Sequence, residues 1–160
     1  MSVPQLEGSL DGRQVRVGLV AARFNSLVTD RLLSGALGEL RRLGVPDGSV
    51  QVARVPGAFE IPVTARAMAL SGRVDAVVCL AAVVRGETAY YEHVAREAVR
   101  GVQEVALSTG IPCTLGILTT ESLEQALDRA GGKAGNKGAE AAQAAVEMVN
   151  LLRRVQEPGT

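Results

Sequence analysis

Residues 75–84 read Asp-Ala-Val-Val-Cys-Leu-Ala-Ala-Val-Val, and this run decides the fold. Apart from Asp75 it is apolar at every position, with no alternation between a wet and a dry face. A strand buried on both faces has this pattern, and such strands sit in the middle of parallel sheets covered by helices. A membrane helix needs about 20 apolar residues, so the run is too short to be one and reads as a central strand.

Working outward, residues 15–21 (VRVGLVA), 50–55 (VQVARV) and 113–118 (CTLGIL) are shorter strand signals. Between and after them lie apolar residues at helical spacing over 27–43, 60–70, 88–108, 121–130 and 138–154. Asn25-Ser26 offers a cap to the first helix, and Gly44-Val45-Pro46 ends it. Pro62 is compatible with the second only because it falls in the first turn. Thr119-Thr120 is expected to cap the fourth, and residues 131–137 to form a loop. Strands alternating with helices imply right-handed crossovers, hence an α/β fold with one parallel sheet of four strands between two helix layers.

Composition bounds the function. The 160 residues fit a single domain, 1–160, with 1–12 as an N-terminal arm. Seventeen Lys plus Arg balance seventeen Asp plus Glu. The absence of a basic excess argues against nucleic acid as a partner, and low net charge suits self-association. No signal peptide or membrane segment is read, so a cytoplasmic location is expected. Cys79 and Cys113 are too few for a disulfide framework and read as buried free thiols. With one histidine and no cysteine cluster, no metal site is expected. Phe24, Phe59, Tyr90 and Tyr91 are the only aromatic residues, so the core is aliphatic and each ring is a candidate for function.

Ligands of parallel α/β sheets bind at the carboxyl ends of the strands, which selects four loops. In the first, Phe24 is either a stacking ring or a core ring covering the sheet edge. In the second, Gly57 and Ala58 let a ligand approach the backbone, while Glu60 is either functional or an ordinary acidic helix start. In the third, Gly86 leaves the strand and Thr88 opens a helix whose free N–H groups suit a phosphate. In the fourth, Arg129 either grips a phosphate or complements a helix end. His93 lies one turn beyond Tyr90 and is either structural or catalytic. No GxxxxGK[ST] or GxGxxG motif occurs.

Taken in order, Ala22-Arg23-Phe24-Asn25, Val55-Pro56-Gly57-Ala58-Phe59-Glu60-Ile61-Pro62, Arg85-Gly86-Glu87-Thr88, Leu118-Thr119-Thr120-Glu121 and the segment from Glu124 to Gly138 resemble the lumazine synthase family. The resemblance spans residues 5–154. It implies a flavodoxin-like three-layer αβα sandwich, pentamers, and sites shared between neighbours. It implies condensation of 5-amino-6-(D-ribitylamino)uracil with 3,4-dihydroxy-2-butanone 4-phosphate, without a cofactor. In this pattern the pyrimidine stacks on Phe24 and is held by Ala58, Phe59 and Glu60 and by Ala82, Val83 and Val84. The phosphate falls to Glu87, Thr88, Arg129 and Lys133, with Arg129 reaching in from the neighbour.

Two positions depart from the family. Its histidine, the presumed proton carrier, falls at Tyr90, and His93 falls where an aromatic is more usual. A phenol, with a pKa near 10, exchanges protons poorly at neutral pH. Leu115 stands where many members carry a phenylalanine that closes the site across the interface. The short segment 131–138 resembles members that build 60-subunit shells. Two functions of different class are therefore expected: a lumazine synthase of reduced activity, or a shell-forming or ligand-binding homologue that has lost turnover. A flavodoxin-like flavin carrier is a weaker third, since that fold's phosphate loop is missing after the first strand.

Overall fold

The computed structural model describes residues 2–159; Met1 and Thr160, the ends of the domain expected over 1–160, lie outside the described residues. The decisive run forms β3 (Ala76–Val84), buried at all but its last residue. β1 (Val17–Ala22) is buried throughout. β2 (Val50–Val55) and β4 (Cys113–Thr120) are partly exposed, as edge strands are. The four pair in parallel in the order β2-β1-β3-β4. The chain is thus an α/β sandwich of flavodoxin-like form.

Alternation along the central strands separates two cores. Leu19, Ala21, Val78 and Leu80 face α1 (Ser26–Arg42) and α5 (Lys137–Gln156). Val20, Ala22, Val77 and Cys79 face α2 (Ile61–Leu70) and α3 (Tyr90–Thr109). Both cores are aliphatic, because none of the four aromatic rings is fully buried.

Several boundaries differ from expectation. α3 opens at Tyr90, not at Thr88, and the Thr88 hydroxyl instead accepts from the Tyr90 amide at 3.4 Å. β4 runs through Thr119 and Thr120, because the ladder with β3 continues to Val84 opposite Thr120. The cap of α4 (Leu123–Asp128) is Ser122, whose side chain accepts from the Gln125 amide at 3.1 Å. The segment expected as a loop after α4 carries a small antiparallel hairpin, β5 (Ala130–Gly132) with β6 (Gly135–Asn136). Gly131 and Gly135 supply its positive-φ positions. Residues 7–14 run along α5, where Asn150 donates to the Ser9 and Asp11 carbonyls, Arg153 to that of Gln14 and Arg154 to that of Glu7.

Candidate functional site

The carboxyl ends of β1, β2 and β3 open into a cleft of about 330 Å³ on the α2/α3 side of the sheet. Phe24, Phe59, Tyr90 and Tyr91 all line it. The whole aromatic complement of the protein therefore converges on one depression, while none of it fills the core. Phe24 is 71 % exposed, which removes its reading as a core ring; Phe59 is 63 % and Tyr90 73 % exposed. Large rings left in water around a concave floor are the usual lining of a site for a flat ligand.

Backbone geometry holds the first two rings. The β1–β2 ladder continues past its last strand pair, with Arg23 N donating to Val55 O at 2.7 Å and Phe24 N to Pro56 O at 3.0 Å. Asn25 follows in the left-handed region, the only non-glycine with positive φ among the described residues. Its side chain caps no helix amide, contrary to expectation. Instead its Nδ2 donates to the Ala82 carbonyl at 2.8 Å, just beyond where β1–β3 pairing ends at Leu80. Phe59 sits in the 3₁₀ turn Ala58–Glu60 that leads into α2, with Pro62 in the first turn as expected. The Glu60 carboxylate folds back over Gly57, where an added Cβ would lie 3.6 Å from its Oε1. Ala82, Val83 and Val84 form the floor with Ala22 and Ala58.

Glu60 is the one charged side chain of this lining. The lip beyond it carries Arg85 and Glu121, which follow the last paired residues of β3 and β4 and form an ion pair at 2.8 Å. The Tyr91 hydroxyl donates to Glu92 Oε1 at 3.3 Å. Burial, and then the carboxylates of Glu121 and Glu92, push the Tyr91 phenol above its ordinary pKa.

Of the residues singled out from the sequence, the cleft brings together Phe24, Ala58, Phe59, Glu60, Ala82, Val83, Val84 and Tyr90. Glu87, Thr88 and His93 are exposed beside it and are not part of its lining. Leu115 lies opposite Cys79 in the middle of edge strand β4 and is 45 % exposed, far from the strand ends. Arg129 closes α4 and donates to Gln125 O at 3.0 Å. Lys133 lies on the following hairpin, 3.8 Å from Asp128. Ala126 and Ala130, on either side of Arg129, pack into the α1/α5 core, and neither cation lines the cleft of the same chain. Tyr91, Val94 and Ala22 also line the cleft without having been singled out. Tyr91 and Val94 were findable, since 90, 91 and 94 share one helical face. Cys79 is buried and free, and burial pushes the free Cys113 thiol up to about 11. Among the described residues no group of three or more His, Cys, Asp or Glu side chains is arranged to hold a metal, and no helix is long and apolar enough to cross a membrane.

The family model of 6,7-dimethyl-8-ribityllumazine synthase covers residues 14–153 of the chain.

Proposed function

The chain belongs to the 6,7-dimethyl-8-ribityllumazine synthase family, and on that premise we propose that it condenses 5-amino-6-(D-ribitylamino)uracil with 3,4-dihydroxy-2-butanone 4-phosphate. The family's reaction is that of a transferase in riboflavin biosynthesis. The observation that carries the reading is the convergence of all four rings on the cleft at the strand ends.

The amine of the first substrate condenses with the ketone of the second, losing water to form an imine. Phosphate then leaves and the remaining amine closes the ring with loss of a second water. Phe24 stacks on the pyrimidine, whose edge meets the backbone of Ala58, Phe59 and Glu60 and the end of β3 at Ala82, Val83 and Val84. The exposed segment at Glu87 and Thr88 offers amides to the phosphate. Arg129 and Lys133 supply its countercharge, and Leu115 closes the far wall, from an adjacent copy. What supports a shared site is the lack of a cation in the lining and the position of all three residues away from it. A pentamer goes with that reading, and the short segment 131–138 favours a closed shell of 60 copies; the proposed enzyme is cytoplasmic and uses no cofactor.

Tyr90 occupies the proton-transfer position, with His93 beside it. Because holding two reactive substrates together supplies much of the acceleration, turnover persists without an imidazole there. The experiment is steady-state appearance of lumazine fluorescence on mixing both substrates with the protein. A rate above the uncatalysed condensation is expected. No such rate from an intact particle would favour the second reading, a shell or ligand-binding homologue. The exposure of Tyr90 and the absence of His93 from the lining are the observations on its side. Replacing His93 with Ala separates two roles within the enzyme reading. A large loss of turnover would mean that the histidine has taken over proton transfer.

A further inference from the structure

Three of the four rings of the cleft are largely in solvent, whereas Tyr91 is half-buried and packs against the α2/α3 core. It is also the only one whose polar atom is held by a side chain: its hydroxyl donates to Glu92 at 3.3 Å. Arg85 follows Val84, which lines the cleft with Tyr91, and pairs with Glu121 at 2.8 Å; the Glu121 carboxylate helps to push the phenol upward. They are themselves fixed by more than their ion pair. Arg85 N donates to Thr120 O at 2.9 Å, and Glu121 N donates to Gln125 Oε1 at 2.9 Å. The lip thus joins the end of β3, the end of β4 and the start of α4, beside the first turn of α3 that carries the Tyr91–Glu92 bond.

We propose that Tyr91 is the rigid wall that selects flat heterocycles in this cleft, and that Glu92 and the Arg85–Glu121 pair are positioning residues that act on the ligand only through it. The choice of ligand class rests on the proposed synthase reading; the immobilisation of the ring does not. A phenol whose single proton is given to a carboxylate cannot swing away without leaving that bond, so the ring meets a ligand with its orientation already set. Phe24, exposed and without a polar handle, then closes on the opposite face.

The composition makes this measurable. The chain has no tryptophan and two tyrosines, so Tyr90→Phe leaves Tyr91 as the single tyrosine chromophore, at longer wavelength than the phenylalanines. In that background a distinct tyrosine circular-dichroism band is expected. Glu92→Gln and Glu121→Gln should each weaken the band while the far-ultraviolet spectrum stays unchanged. The phenol should titrate above its ordinary range, and less far above it in either variant, because each removes a carboxylate that disfavours the phenolate. With Tyr90 restored, fluorescence titration with 6,7-dimethyl-8-ribityllumazine should show about three- to tenfold weaker binding for Glu92→Gln and Glu121→Gln. Tyr91→Leu should lose about ten- to a hundredfold. A tyrosine band and titration indifferent to both substitutions would overturn the proposal. So would unweakened binding in Tyr91→Leu. If the parent protein binds no lumazine, the synthase reading fails, while the spectroscopic arm still decides whether the lip immobilises Tyr91.

Discussion

On the proposed synthase reading, Tyr90 is the side chain expected to set the level of activity without altering the fold. It is 73 % exposed on the first turn of α3, so a smaller imidazole fits there without repacking. Tyr90→His should raise turnover by about a hundredfold or more, since an acid–base group with a pKa near neutrality typically contributes at least that factor. Continuous lumazine fluorescence at saturating substrates checks it, and an unchanged rate would remove Tyr90 from the proton-transfer position. Phe24 was legible as a candidate because rings are so rare in this chain, yet its two readings could be separated only by its exposure. Tyr91 shared that rarity, but nothing in the sequence set it apart from the other rings. Its distinction lies in partners 36 residues apart, Arg85 and Glu121, whose pairing a linear reading does not contain.

At the level of elements, close approaches between backbones limit what the sequence can change. Gly138, in the first turn of α5, lies where an added Cβ would sit 2.0 Å from the Leu32 carbonyl of α1. Gly138→Ala must push the two helices apart. Destabilisation at or above the upper end of the usual overpacking cost, about 1–3 kcal/mol, is expected in urea titration. Ser122→Ala removes the side-chain cap of α4, and with it about 1 kcal/mol by the same measurement. Thr119→Ala, at the position first expected to be the cap, should leave stability nearly unchanged. Strands and long helices were read from periodicity because burial imposes it. Their ends were misread at Thr88, at Thr119-Thr120 and in the hairpin after α4, where the deciding factor is which backbone group has a neighbour to pair with.

For the molecule as a whole, one carboxylate ties distant parts together. Asp75 accepts from the Arg16 backbone amide at 2.8 Å and from its guanidinium at 3.0 Å, and meets Arg153 of α5 at 3.3 Å. Burial pushes its pKa up, but the hydrogen bonds and charge of Arg16, aided by Arg153, outweigh it, and the net shift is downward. A carboxyl lowered in the folded state gives stability that is present above its unfolded pKa, about 3.9, and is lost as pH falls through the folded value. Asp75→Asn should therefore cost about 1–3 kcal/mol at neutral pH. The gap to the parent protein should narrow as pH falls through and below the ordinary carboxylate range. Urea midpoints at neutral and acid pH measure both. A shared site also predicts a particle mass by light scattering that is a multiple of five chains; a monomer that retains full turnover would end that reading.

By itself, the sequence determined the layered α/β architecture and the four loops from which a site had to be drawn. Hydrophobic burial writes itself along the chain at periods of two and 3.6 residues, and strand ends in parallel sheets face one way. Only the tertiary structure decided that every ring meets in one cleft, that Asn25 spends its amide on Ala82, and that Arg129, Lys133 and Leu115 lie away from the cleft of their own chain. Those facts depend on which segments the sheet order β2-β1-β3-β4 makes neighbours. Contacts between side chains far apart in sequence leave no periodic trace in it.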